Sequence, residues 1–162
     1  MVEMKIRIWQ GIDVHAFCEG DHVMLGGVRI PFEKGLKAHS DGDVALHALC
    51  DAMLGAAAMS DIGKHFPTSE AEWGDADSRV LLRKVDLMLK HDGWAVVNAD
   101  ITLVCEQPKI LPHTEHMQAN ISADLSLDLG DISIKATTTE RLGFCGRGEG
   151  IAALAVVLIK SW

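Results

Sequence analysis

The sequence predicts an α+β fold, a two-layer α/β sandwich in which a mixed β-sheet carries helices on one face. Three observations lead there. Segments of β-rich character recur at Ile6 to Asp13, Val96 to Cys105, Ile132 to Thr137 and Ile151 to Ile159. Between them lie three stretches of amphipathic helical character, from Ser40 to about Ala58, from Asp77 to His91 and from Leu111 to Leu125. A hydrophobic content of 48% over 162 residues suffices for a sizeable core, so one domain over residues 1–162 is expected.

Along the chain, Val23-Met24-Leu25 and Val28-Arg29-Ile30 read as short strands joined by Gly26-Gly27, a pair suited to a tight hairpin turn, and Pro31 ends the unit. A loop from Glu33 to His39 leads to Ser40, whose hydroxyl is expected to cap the first helix, with Asp43 three residues on as an acidic variant of the capping box. Within that helix Asp43, His47 and Asp51 recur at four-residue spacing on one face, while Val44, Leu46, Leu49, Cys50, Met53 and Leu54 supply the apolar surface. Asp61 to Trp73, with Gly63, Pro67, Thr68 and Ser69, has loop composition and reads as a flap. Gly93 closes the second helix, and Gln107-Pro108-Lys109 breaks the strand ahead of the third. The last strand, Ile151 to Ile159, shows little alternation, which predicts cover on both faces, one of them from a subunit interface.

Fifteen basic against 23 acidic residues give a net charge of −8, which excludes a general nucleic-acid or membrane-surface binder. Cys18, Cys50, Cys105 and Cys145 are scattered and form no CxxC pair, so reduced thiols are expected rather than a disulfide framework or a zinc ribbon. The N-terminal Met1-Val2-Glu3-Met4-Lys5 has no apolar run, and no stretch reaches the roughly 18 apolar residues a membrane span needs. A cytoplasmic protein is expected.

Asp13 and His15 stand at i and i+2 of a strand and so share a face. With His47 they make a set of two imidazoles and one carboxylate, which suits Zn²⁺ and leaves a fourth position open. Asp43 or Asp51 is then the acid expected to orient the His47 ring. His39 and Ser40 precede the same helix, where backbone N–H groups favour phosphate, against the plainer reading of a capping loop. Thr137-Thr138-Thr139-Glu140 offers hydroxyls for phosphate oxygens and a carboxylate for Mg²⁺. The glycine-rich run from Gly143 to Gly150 lacks the Gly-Lys-Ser/Thr ending of a phosphate loop, which excludes a Walker-type nucleotidase. No GxSxG motif or activated cysteine is present, so any catalysis is assigned to metals acting on water or on a nucleophile carried by the substrate.

The chain resembles the 2-C-methyl-D-erythritol 2,4-cyclodiphosphate synthases almost from end to end. The resemblance rests on Gly11-Ile-Asp-Val-His15, Gly26-Gly-Val-Arg-Ile-Pro31, Ala38-His-Ser-Asp-Gly-Asp-Val-Ala-Leu-His47, Asp61-Ile-Gly63, Phe66-Pro67, Ala76-Asp-Ser-Arg79, Gln107-Pro-Lys109, Lys135-Ala-Thr-Thr-Thr-Glu140 and Gly146-Arg-Gly-Glu-Gly150. It implies a homotrimer with active sites at subunit interfaces. Zinc, or another divalent transition metal, is then held by Asp13, His15 and His47. Magnesium or manganese is held through Glu140 and the substrate diphosphate. The substrate implied is a 4-diphosphocytidyl methylerythritol whose 2-phosphate attacks the β-phosphorus, expelling CMP.

By the same resemblance His39 and Thr138 act at the transition state, and Asp13, Val14, His15, Ser40, Asp61, Ile62 and Gly63 line the substrate site. Phe66, Pro67, Thr68, Ser69 and Glu70 extend that wall. Cys105, Glu106, Gln107, Pro108, Lys109, Ile110 and Leu111 hold the cytidine portion, assisted by Thr137, Thr139 and Glu140. Phe144 and Arg147 match positions near the trimer axis, where an isoprenoid diphosphate is accommodated. Three positions and one segment depart from the pattern: Trp9 on the strand face of Asp13, His65, Cys105, and Thr68-Ser69-Glu70 without a customary aspartate. Two alternatives stand beside this expectation, a zinc-dependent phosphohydrolase and a non-catalytic protein that senses isoprenoid diphosphates.

Overall fold

The computed structural model describes residues 3–161. Met1 and Val2, read above as part of a terminus without an apolar run, lie outside the described residues. The chain begins with β1 (Ile6–Cys18), which continues past Asp13 through the alternating segment Val14 to Cys18. The hairpin β2 (His22–Leu25) and β3 (Val28–Pro31) follows, and β4 (Gly35–Leu36) is a short strand inside the expected loop. Next come α1 (Val44–Ala56), the one-turn α2 (Ile62–His65), α3 (Ser78–His91) and β5 (Trp94–Val104). The chain ends with α4 (Thr114–Leu125), β6 (Ile132–Thr137), the one-turn α5 (Gly143–Gly146) and β7 (Gly150–Ser161).

Five strands form one sheet in the order β4-β1-β7-β5-β6, and β2 and β3 form a separate two-stranded ladder. The large sheet is mixed: β7 is antiparallel to both β1 and β5, while β5 and β6 run parallel through the α4 crossover. Helices α1, α3 and α4 pack on one face, as expected. Between the layers lies a core that includes Leu46, Leu49, Met53, Leu82, Ile101, Leu103, Met117, Ile121 and Ile151.

Helix α1 approaches the sheet tightly at Gly11. A β-carbon there would stand 2.1 Å from the Ala48 carbonyl oxygen and 2.6 Å from the Ala52 nitrogen, so only glycine lets α1 descend onto β1. The two elements run in opposite directions. The start of α1 therefore lies over Asp13 and His15, and its end lies over Trp9, whose indole fills the space above Gly55. Trp9 shares the face of Asp13, as its parity requires, and packs at the far end of α1 from the histidine.

Over β1 and β7 the opposite sheet face is largely apolar and open. Ile8 is 63% exposed, Ile12 63% and Val14 47% on β1, and Leu154 is 41% and Val156 39% on β7. Ile12 pairs with Leu154 and Val14 with Ala152, so these side chains form one continuous surface. The last strand thus does alternate in cover: Ile151, Ala153, Ala155, Val157 and Ile159 are buried under the helices, while Leu154 and Val156 of the other row are exposed.

The first helix starts later than its sequence signal suggested. Its cap is Asp43, not Ser40: the Asp43 carboxylate accepts from the Leu46 amide at 3.1 Å, and the helix begins at Val44. Asp61 to Trp73 contains α2 and a 3₁₀ turn at Ala71–Trp73, short enough to leave no helical period. The expected third helix opens as a 3₁₀ turn at Leu111–His113 before α4. Part of the glycine-rich run folds as α5. Among the described residues, no helix is long and apolar enough to cross a membrane.

Candidate metal centre

Asp13 and His15 project from β1 toward the start of α1, where His47 occupies the second turn. His15 Nε2 lies 2.7 Å from Asp13 Oδ2, His47 Nδ1 lies 3.2 Å from the same oxygen, and the two ring nitrogens are 3.3 Å apart. The ligand atoms of the three residues all fall within 4.8 Å of one another. Burial works against the Asp13 carboxylate, but hydrogen bonding and charge from His15 and His47 outweigh it and hold its pKa down to about 2. Burial also opposes the charged form of His47. Asp13, by hydrogen bond and charge, and then Asp43 and Asp41, by charge, push its pKa up.

The other nitrogen of His47 settles what this cluster accepts. His47 Nε2 lies 2.9 Å from Ser78 Oγ and 3.1 Å from Ser40 Oγ, while the Ser78 hydroxyl donates to Asp41 Oδ1 at 2.5 Å. With its proton given to Asp41, the Ser78 oxygen is an acceptor, so the network assigns the Nε2 proton to His47. Nδ1 then faces a carboxylate oxygen and a second imidazole nitrogen. Lone pairs gathered at such distances are reconciled by a proton or a metal ion between them, and the donor set of two nitrogens and one oxygen suits a divalent metal. His15 Nδ1 is the one buried side-chain polar atom without a partner among the described residues.

Asp43 and Asp51, the acids expected to orient His47, are committed elsewhere. Asp43 is fully buried and accepts from the Gly26 amide at 2.9 Å and the Gly27 amide at 2.7 Å in addition to Leu46. Gly26 and Gly27 have φ of 57° and 73°, the left-handed pair a two-residue hairpin turn needs, and Asp43 satisfies both their amides. Burial pushes its carboxyl up while the amides pull it down. Asp51 accepts from the Ile62 amide at 2.8 Å and anchors the start of α2. Helical spacing placed both acids beside His47 without revealing these backbone donors.

A cavity of about 400 Å³ opens at the triad. It brings together Asp13, His15, His39, Ser40, His47, Ile62, Gly63, Phe66, Thr68 and Glu70 from the expected set. Asp61 caps α2 through the Lys64 amide, and Pro67 and Ser69 belong to the same segment without lining the cavity. Val14 faces the other side of the sheet. Lys37, Trp73 and Leu81 also line the cavity, and Lys37 is the only lysine or arginine on its wall among the described residues. Trp73 meets Phe66 edge-on with ring centroids 4.9 Å apart, giving the wall an aromatic corner. The sequence signals missed were isolated ones: a tryptophan in a polar loop, a lysine before Ala38-His39, and Asp41 and Ser78, whose types read as turn and cap chemistry.

The remaining expected residues form a second group. Val14, Ala152, Val104 and Thr137 pair in one row across four strands. Thr137 is therefore three strand spacings from β1, roughly 14 Å. Glu140 and Arg141 follow with φ of 52° and 65°, a strained conformation for residues other than glycine. Glu106 supports them: its carboxylate accepts from the Thr139 and Arg141 amides, each at 3.2 Å. Thr138 Oγ1 lies 3.4 Å from the exposed Glu140 carboxylate. Cys105 to Leu111 borders this strap, since the Cys105 amide donates to the Thr137 carbonyl. Phe144 is 41% exposed, and Arg147 is paired with Glu149 at 2.7 Å. None of these residues lines the triad cavity of the same chain.

All four cysteines are free, and burial pushes the thiols of Cys50 and Cys145 up and that of Cys105 up to about 11. The thiols of Cys50, Cys105 and Cys145 are poor nucleophiles at neutral pH.

Fold and site together define an α+β protein with a two-histidine, one-carboxylate metal centre at the mouth of a cavity. The sequence model of the YgbB family matches residues 6–160. A relative from Xanthomonas axonopodis pv. citri (strain 306), the 2-C-methyl-D-erythritol 2,4-cyclodiphosphate synthase, is 59% identical over 158 residues, covering 98% of this chain and 95% of its own. The chain belongs to this family of 2-C-methyl-D-erythritol 2,4-cyclodiphosphate synthases. Among solved structures, the bifunctional IspDF from Campylobacter jejuni matches with a TM-score of 0.95 and 42% identity over 99% of this chain, which spans 43% of that longer one. The IspF CDP complex from Plasmodium falciparum matches with a TM-score of 0.84 and 34% identity over 96% of each chain.

Proposed function

We propose that this protein is a phosphorus–oxygen lyase that converts 4-diphosphocytidyl-2-C-methyl-D-erythritol 2-phosphate to 2-C-methyl-D-erythritol 2,4-cyclodiphosphate with release of CMP, in the non-mevalonate isoprenoid pathway. The observation that carries this is the convergence of Asp13, His15 and His47 at a cavity in a chain 59% identical to a synthase of that name. A 2-phosphate oxygen forms a bond to the β-phosphorus as the bond from that phosphorus to the bridging oxygen breaks, and that oxygen leaves with CMP. The nucleophile belongs to the substrate, which agrees with the protonated thiols and the lack of an activated serine. The protein's task is to fold the substrate, hold attacker and leaving group in line and offset charge.

Zinc on Asp13, His15 and His47, and magnesium or manganese on Glu140 and the diphosphate, supply electrostatic stabilisation when bound. His39 at the cavity mouth and Thr138 donate hydrogen bonds to phosphate oxygens as charge shifts onto them. Ser40, Asp61, Ile62 and Gly63 hold the methylerythritol hydroxyls, and Phe66 with Thr68, Ser69 and Glu70 encloses them. Lys37 adds positive charge on the cavity wall. Cys105 to Leu111 receives the cytidine, largely through backbone groups; the CDP named for the Plasmodium falciparum relative supports a cytidine nucleotide here.

The working unit of this proposal is a cytoplasmic homotrimer of one-domain chains. Two features support it: an open apolar face on β1 and β7, and two halves of the chemistry on strands about 14 Å apart in one chain. A threefold arrangement that buries the first brings the strap of one subunit to the triad of the next. Phe144 and Arg147 then border the axis, where an apolar cavity takes an isoprenoid diphosphate. Incubation of purified protein with the cytidyl substrate and divalent metal is expected to release CMP and cyclic diphosphate in equal amounts. Linear products carrying solvent ¹⁸O in their phosphate would instead make it a hydrolase.

A further inference from the structure

We propose that Ser78 and Asp41 are positioning residues of the metal centre, forming a carboxylate–hydroxyl–imidazole relay that presents the unprotonated Nδ1 of His47 to the metal. The relay spans three separate pieces of chain. Asp41 lies in the loop before α1, Ser78 is the first residue of α3, and His47 is on α1. Ser78 is completely buried, so its hydroxyl must be satisfied by protein. Its proton goes to Asp41 Oδ1 at 2.5 Å, and its amide donates to Asp41 Oδ2 at 3.0 Å. The Asp43 amide also donates to Asp41 Oδ1, at 3.2 Å, which adds a third bond holding the carboxylate. The Ser78 oxygen is thereby left as an acceptor for His47 Nε2–H at 2.9 Å.

A carboxylate on the far nitrogen of a ligating histidine holds its tautomer and ring orientation and raises its basicity. Here the carboxylate acts through one hydroxyl. The acids at four-residue spacing do not: Asp43 accepts from three amides and Asp51 from Ile62, and among the described residues neither carboxylate hydrogen-bonds to the His47 ring.

Ser40 is the alternative acceptor, and the two serines are not equivalent. Ser40 Oγ lies farther from His47, at 3.1 Å, lines the cavity and accepts a weak 3.3 Å bond from the Gly42 amide. No carboxylate takes its proton among the described residues. Its hydroxyl is free to turn to substrate, whereas Ser78 is dedicated to the metal ligand. The contrast separates their effects: Ser78 acts on metal affinity and Ser40 on substrate affinity.

The inference rests on the metal-centre reading above, and one titration separates the two. Zinc affinity is measured on the full chain by competition with a chromogenic chelator for the parent, Ser78→Ala, Ser78→Thr and Ser40→Ala. Ser78→Ala is expected to weaken zinc binding by about 10- to 100-fold, Ser78→Thr to recover most of the loss, and Ser40→Ala to stay within about threefold of the parent while raising KM. Should Ser78→Ala fail to fold, the zinc-loaded parent still decides. Its ¹H–¹⁵N spectrum is expected to show a slowly exchanging His47 Nε2–H. A Ser78→Ala affinity within about twofold of the parent, or a His47 protonated at Nδ1 in the zinc-loaded parent, overturns the relay and leaves the metal centre standing. A parent that binds no divalent metal overturns both.

Discussion

The triad end and the strap end of this molecule are held by opposite means. Around Asp13, His15 and His47, β1, α1 and the start of α3 close on one another, and the ligands are backed by the buried Ser78. At Thr137 to Glu140 the backbone turns through two left-handed residues, tied down by Glu106, and the Glu140 carboxylate stands exposed. One half is complete within a chain and the other presents its groups outward. On the proposed function, the difference assigns the first half to metal binding and the second to a site completed by a neighbouring subunit.

The largest effect should come from breaking the closed half. His15→Ala, or removal of metal by a chelator, is expected to lower turnover at least about a thousandfold, with the circular dichroism spectrum retained. Turnover that survives chelation would contradict the metal's role. Next in size is the scaffold behind it: Asp43→Ala removes a helix cap and strands two turn amides, and should cost about 3 kcal/mol in chemical denaturation. A loss below about 1 kcal/mol would show that water replaces the carboxylate. The open half should respond differently. Thr138→Ala or Glu140→Ala is expected to reduce kcat about a hundredfold while zinc content and melting temperature stay at parent values.

The smallest effect is one of pH, and its sign depends on metal. In metal-free protein the Asp13 pKa is lowered from 3.8 to about 2, so its contribution is present above 3.8 and lost as pH falls toward 2. The His47 pKa is raised above 6.5, so its contribution is full below 6.5 and lost as pH rises through the folded value. These groups therefore favour the metal-free fold most between 3.8 and 6.5. Metal must displace the His47 proton, so the rise in melting temperature caused by zinc should grow from about pH 5.5 to about pH 7.5. A zinc effect independent of pH would mean that His47 is not a ligand.

Much of this architecture was legible in the sequence because its signals are local. β-rich character announced β1 as far as Asp13, Gly26-Gly27 announced the hairpin, and the two-residue step from Asp13 to His15 put two ligands on one face. Spacing along α1 also put His47 on a face with Asp43 and Asp51, yet it could not say which backbone amides would claim those acids. The roles of Asp41 and Ser78 were illegible for the same reason. They lie 37 positions apart in sequence, and their meeting depends on how α3 docks beside α1. The late start of α1 at Val44 reflects competition between two good caps, which tertiary contact with the hairpin turn decides for Asp43. The openness of one row of β7 was hidden by its composition, since apolar residues facing a core and apolar residues facing a partner read alike.

Joining the two halves across a subunit boundary is the central claim, and subunit mixing tests it most directly. His15→Ala lacks a triad and Glu140→Ala lacks a strap carboxylate, so each variant alone should be inactive. Dissociated, combined in equal amounts and reassembled, they are expected to regain roughly one quarter of parent activity, the fraction of interfaces at which an intact triad meets an intact strap. If instead each site is built from a single chain, the reassembled mixture will stay as inactive as its parts.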